Sequence, residues 1–448
     1  MDEKINIAMA FLLLAAGVYF SGITRFFQVT RFFDMLIMPF RRKGKKGGIS
    51  PFRALSTALA GSVGTGNIAG VASALAIGGP GAIFWMWVSA IFGMATKFAE
   101  VVLALRYRTR GADGEFKGGA MYCITRGMGT RYRYLAGAFC VFGVLASFGM
   151  GNMVQVNTIA SAAEQATEAF FPGTGAQTVD LFVGLFVAAA VGAVTFGGAK
   201  RIGAAAEVLV PFMSALYIAA TLLVIVPNFH LFSKALSEIM QGAFGGFRPA
   251  IGGIGGFTLG QAFKCGMMRG VFSNEAGLGS APIAHAAAET KSPVEQGMMG
   301  ILEVFIDTIV ICSLTAFMVL MADIEIPYGN ANANGMAISV HALGTAVSTQ
   351  GAGLFLAAAV LLFAFCSVLT WSLYGARCAE YLFGERGVFY YRILFLCLIV
   401  VGASLEVSLV WRLGETFNSL MAIPNLIMLV ALAPEVSRAV RSYKTLLK

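Results

Sequence analysis

A chain of 448 residues, of which 58% are hydrophobic and only 12% charged, does not fit a soluble multidomain protein; with a mean hydropathy of +0.77 it fits a polytopic membrane protein. The net charge of +9 does not make it a nucleic-acid binder, because the basic residues gather between apolar runs as membrane topology requires. Seven scattered cysteines without a CxxC pair, and three histidines without ligand spacing, argue against a disulfide framework and a metal centre.

Apolar runs of ~20 residues predict eleven transmembrane helices at about 5–28, 53–77, 81–106, 134–158, 178–197, 203–227, 254–286, 294–321, 352–380, 389–406 and 412–432. The first is a retained helix, since Asp2, Glu3 and Lys4 precede it and no Ala-x-Ala site follows. With the N-terminus outside, the basic groups fall on one side: Arg41 to Lys46, Arg106 to Arg133, Lys200 and Arg201, Lys291, Arg377 to Arg392, and Arg438 to Lys448. The opposite loops Phe170–Asp180 and Ala322–Gly351 carry no Lys or Arg, so the C-terminus is expected to be cytoplasmic. This describes a multi-pass protein of the cell's inner (plasma) membrane. Gly111–Gly129 is either a gating loop or a solvated connection, the latter preferred, and Gly78–Ala82 is an outside turn with no phosphate-loop continuation.

Two segments do not suit an intact helix. Gly61–Gly70 places four glycines in ten residues, which gives up about 2–4 kcal/mol of helix preference. Ile251–Pro282 is the second, five predicted spans later, so the two cross in opposite directions. Paired broken helices at corresponding positions of two halves point to an inverted repeat with a midplane binding site, the architecture of secondary transporters. In the first, the N–H groups of Thr65 and Gly66 could hold a carboxylate, and the carbonyls of Ala60 and Val63 could coordinate a hard cation. Asn152 and Gln155, three apart, are expected on one helix face, either binding substrate or bridging helices.

The string VGTGN at Val63–Asn67 resembles the unwound helix of the leucine-transporter type of sodium symporter, and Gly260–Phe263 resembles that fold's other broken helix. Longer strings, among them GSVGTGNIAGVASALAIGGPGAIFWMW, FKGGAMYC, GMGNMVQ and FKCGMMRGVFSNEAGLGSAPIAHAAAET, resemble the alanine or glycine:cation symporter family over nearly the whole chain. The resemblance implies an all-α fold of two five-helix inverted repeats, 51–228 and 229–435, preceded by one extra helix within 1–50 and followed by a basic tail, 436–448. It implies sodium-coupled uptake of small neutral amino acids, with sodium as coupling ion and no other cofactor. It further implies that Thr65, Gly66, Asn67, Asn152 and Gln155 bind substrate, that Trp371, Met268 and Phe272 wall its side chain, and that Ser367, with Thr370 competing, adds a hydroxyl to sodium.

Charges inside predicted spans cost about 2.5–3.5 kcal/mol each at the bilayer centre, so they require partners. Lys97 with Glu100, and Glu303 with Asp307, share helix faces; Lys264, Arg269 and Glu275 fall near the second break, where Arg269 and Glu275 form either a gate or a static pair. The alternatives to sodium coupling are a proton-coupled transporter using Glu275 or another buried carboxyl, and a receptor that binds an amino acid without moving it. No catalytic set recommends an enzyme.

Overall fold

The computed structural model describes residues 3–41, 48–111, 114–170, 173, 175–245, 259–290, 292–330, 333–405 and 407–446. The basic residues 42–47, Lys291, and the glycines of 252–256 lie outside the described residues.

The chain is almost wholly helical: α1 Glu3–Thr24, α2 Phe27–Thr30, α3 Phe32–Arg41, α4 Pro51–Ser62, α5 Ala69–Gly78, α6 Gly81–Tyr107, α7 Ala120–Cys123, α8 Arg133–Phe148, α9 Val154–Phe170, α10 Ala176–Thr195, α11 Gly198–Ile225, α12 Phe232–Phe244, α13 Leu259–Asn274, α14 Ala281–Ala286, α15 Pro293–Val304, α16 Ser313–Met321, α17 Gly335–Gly344, α18 Thr349–Ala403 and α19 Val407–Leu446. Helix starts follow local chemistry. Ser50 before Pro51 accepts from the Arg53 N–H at 3.0 Å, and Ser292 before Pro293 accepts from the Glu295 N–H at 3.3 Å, each satisfying an amide the helix cannot.

Among the described residues seven helical stretches are long and apolar enough to cross a membrane: 81–107, 130–164, 176–195, 198–225, 293–321, 349–403 and 414–443. The longest, α18, is two helices meeting at Gly384, whose φ of 72° no α-helix contains. Burial runs inside-out relative to a soluble protein. Phe182, Phe186, Val208 and Phe212 are exposed on α10 and α11, while Lys97, Glu100, Glu303 and Asp307 are fully enclosed.

Only one strand pair occurs among the described residues, β1 Thr109–Arg110 against β2 Phe116–Lys117, with Thr109 opposite Lys117. Its second strand lies within the Gly111–Gly129 region, whose stretch from Lys117 to Ile124 is mostly buried rather than solvated. Ala120, Met121, Cys123 and Ile124 are buried, and Gly118 and Gly119 press against Ala286 and Ile283 of α14. Gly118 and Gly119, which lack a Cβ, let the backbone pack tightly beneath α14.

Candidate functional site

The first break runs from Val63 to Ile68. Val63 caps α4 in an extended conformation and Gly64 continues it at φ −136°, ψ −156°. The Gly64 N–H, which would have closed the next helical turn on Ala60, instead donates to Asn67 Oδ1 at 2.9 Å. The Asn67 N–H turns to the Gly64 carbonyl at 3.3 Å rather than to Val63. Both the Ala60 and Val63 carbonyls therefore lose their next-turn donors, which is the chemistry expected of cation ligands in a broken membrane helix.

The second break is Glu275–Ser280, where Glu275, Gly277 and Gly279 take φ of 53°, 90° and 83°. It lies further along than the sequence suggested: Gly260–Phe263 sits inside the continuous helix α13. A single small residue in an apolar helix is tolerated, whereas alternate residues held at positive φ are not compatible with one.

The first break meets the end of α13, two residues before the second break. Asn67 Nδ2 donates to Ser273 Oγ at 3.2 Å and to Asp307 Oδ1 at 2.7 Å, and Ser273 Oγ donates to Asp307 Oδ2 at 2.7 Å. Thr308 adds a further donor to Asp307 at 2.8 Å, and Thr315 donates to the Asn67 carbonyl at 2.8 Å. The Asn67 side chain thus shapes the site, its amide spent on tying the breaks to the helix of Asp307. Thr65 Oγ1 donates to Gln155 Oε1 at 3.3 Å, and Gly64 lies against Ser367 and Gln155. Gly66 is half-buried, and a methyl placed on it would meet nothing within 4 Å, so its Cα faces open space. Trp371, buried on α18, donates from Nε1 to Glu275 Oε1 at 3.1 Å; its ring packs so closely on Gly151 that a methyl there would overlap it. Three polar pairs thereby join these parts: Thr65 of the first break to Gln155 of α9, Glu275 of the second break to Trp371 of α18, and Asn67 to Ser273 of α13.

Ser367 Oγ donates to the Gly61 carbonyl and Thr370 Oγ1 to the Thr57 carbonyl, each at 3.0 Å, so both hydroxyls run along the end of α4 where the Ala60 and Val63 carbonyls emerge. Ser367 is the nearer to the break, since it also faces Gly64.

Several expected neighbours are separated. Asn152 and Gln155 do not share a face: the π-helical turn Gly149–Met153 resets the rotation between them. Asn152 donates to the Phe395 carbonyl at 2.8 Å on α18, while Gln155 points to Thr65. Met268 and Phe272 line a cavity closed on its other sides by Met9 and Leu13 of α1 and by Asn418 of α19, with Phe272 also packed against Met150 and Val154. Glu275 Oε2 accepts the Ser280 hydroxyl at 2.5 Å, and Arg269 lies beside Gly70 of α5.

Lys97 does not pair with Glu100. Its ammonium meets Glu303 at 3.1 Å, and Glu303 also bonds His285 of α14 at 3.0 Å. Glu303 and Asp307 diverge because the π-helical segment Phe305–Cys312 begins between them. Sequence reasoning passed over Ser273; its position two residues before Glu275, in a Ser-Asn-Glu run inside an apolar segment, was the available signal. On the α14 side, Arg108 donates to the carbonyls of Ala286 (3.0 Å), Ala288 (2.5 Å) and Thr290 (3.0 Å), capping the half-helix, and Lys117 of β2 is paired with Glu380 of α18.

The model of the sodium:alanine symporter family matches residues 3–448. A sodium/alanine symporter, AgcS, of Methanococcus maripaludis is 40% identical over 445 residues, 98% of this chain and 95% of its own. A probable sodium/glutamine symporter, GlnT, of Bacillus subtilis is 40% identical over 438 residues, 96% and 87% of the two chains. Among solved structures, MhsT in complex with L-phenylalanine superposes with a TM-score of 0.62 at 13% identity, covering 87% of this chain and 90% of that one, a likeness of fold.

Proposed function

Starting from the fact that the chain belongs to the sodium:alanine symporter family, we propose that it takes up alanine or glycine together with sodium by alternating access. It is a multi-pass membrane transporter of amino acids. Eleven crossings are supported by counting the seven long apolar stretches, α18 as two crossings hinged at Gly384, α1, and the pairs α4–α5 and α13–α14. On this reading the two broken pairs are equivalent members of inverted repeats spanning 51–228 and 229–435.

The observation that carries the proposal is the contact of the first break, at Asn67, with Ser273 at the end of α13 where the second break begins, with Gly66 open beside it. The substrate carboxylate rests on the Thr65 and Gly66 N–H groups, which face it as a half-helix N-terminus does. The ammonium faces carbonyls of the second break and the Gln155 amide. Trp371 limits side-chain size, and Phe272, packed on Met150 beside the Trp371 contact at Gly151, closes the apolar end. Sodium joins the Ala60 and Val63 carbonyls to Ser367, bracing α4 against α18. A cation that binds the braced form better shifts the equilibrium toward it, which couples sodium to substrate. A zwitterion carries no net charge, so each sodium adds about 2.3 kcal/mol per 100 mV of membrane potential. Radiolabelled alanine uptake into proteoliposomes tests this. Replacing external sodium by choline is expected to abolish accumulation; undiminished uptake in choline contradicts the proposal.

A further inference from the structure

The second break is gripped by two residues outside the substrate site proposed above. Glu100 of α6 accepts the Gly279 N–H on Oε1 at 3.0 Å, and the same oxygen accepts Asn425 Nδ2 of α19 at 2.5 Å. Asn425 Nδ2 also donates to the Gly277 carbonyl at 2.9 Å. Both side chains are buried, at 1% and 0% exposure, yet Glu100 Oε2 and Asn425 Oδ1 have no hydrogen-bond donor. Two orphaned acceptors on side chains already joined to each other are not a stable arrangement in a dry interior.

One proton satisfies both. A carboxylic acid offers an O–H donor beside an acceptor, and a carboxamide offers the complementary acceptor and donor. With a proton on Oε2, Glu100 and Asn425 close a cyclic acid–carboxamide pair: Asn425 Nδ2–H to Oε1, and Oε2–H to Asn425 Oδ1. The other charged groups around the break are already matched. Lys97 is held by Glu303, Glu303 is shared with His285, and Glu275 is bonded by Ser280 and Trp371. Apolar side chains lie against the same stretch from α8 and α1, Phe139 at Gly279 and Leu13 at Gly277.

We propose that Glu100 is a resident proton site, and that its acid form, paired with Asn425, clamps α19 to the unwound Gly277–Gly279 backbone. Loss of the proton sets acceptor oxygens of the two side chains against each other and loosens α19 from the break.

Glu100→Gln tests this, because glutamine keeps the acceptor and replaces the O–H by a non-ionising N–H donor. Above the site's midpoint the protonated fraction falls about ten-fold per pH unit, so wild-type melting temperature and alanine uptake are expected to fall together at alkaline pH. E100Q is expected to hold both flat, and to lack the infrared carbonyl band of a buried carboxylic acid that the wild type shows. Folded E100Q with uptake lost at every pH, or a wild-type spectrum in which E100Q removes no acid band, overturns the proposal. Only the uptake arm rests on the transport reading; melting and infrared need no flux, so the two readings fail separately.

Discussion

Asn67 uses both ends of one amide, its oxygen on the Gly64 N–H and its nitrogen on Asp307 and Ser273. Asn67→Ala orphans the Gly64 donor and removes a partner from a buried carboxylate, each worth about 1–3 kcal/mol. The expected outcome is a lowered melting temperature in detergent together with lost uptake; an unchanged melting temperature contradicts the role assigned to this amide. Gly66 gives the opposite signature. A methyl there touches nothing, so Gly66→Ala is expected to leave melting unchanged while intruding on the carboxylate and raising KM for alanine. If KM stays at the wild-type value, substrate does not rest on Gly66. Lys97 is a third case. Lys97→Met leaves Glu303 buried with His285 as its remaining partner, at about 3–5 kcal/mol, and a thermal shift far larger than that of a surface lysine variant is the check.

Helices here are interrupted where chemistry is needed, and the interruptions differ in how plainly the sequence shows them. The glycine cluster Gly61–Gly70 is dense enough that its break is legible; Thr65 and Gly66 lie in it, and Ser367 lies against it. The second break was legible as a segment but not as a position, because glycine frequency points to where a helix is weak and not to where φ turns positive. The π-helical turns at Gly149–Met153 and Phe305–Cys312 were not legible at all, since one extra residue per turn leaves the apolar pattern almost intact while rotating everything beyond it. That rotation is why Asn152 left the site and why Glu303 and Asp307 parted. It also sets a prediction at this scale. Gly151→Ala would improve helix propensity by ~1 kcal/mol, but its methyl would displace Trp371 and with it the bond to Glu275. Uptake is expected to collapse in G151A despite the better helix former, and wild-type flux in that variant would show that Trp371 does not wall the site. Arg108→Gln likewise removes the charge that caps α14, with lowered Vmax as the expected reading.

Across the whole molecule, α6 is the strut that connects these parts: Lys97 reaches α15 and α14 through Glu303, Glu100 reaches the second break and α19, and Arg108 at its end caps α14. A buried ionic column of this kind is costly in lipid, and it survives because each charge has an opposite or hydrogen-bonding partner. Composition and the distribution of basic residues disclosed the membrane class, whereas this column was hidden because its pairs are about two hundred residues apart in sequence. The account stands or falls on two facing breaks that hold a zwitterion and its driving cation together. The most direct measurement is the current evoked by alanine in proteoliposomes on a solid-supported membrane. Inward positive charge movement in sodium that disappears in choline is the predicted result. Alanine flux without charge movement, or the same current in choline, would contradict it.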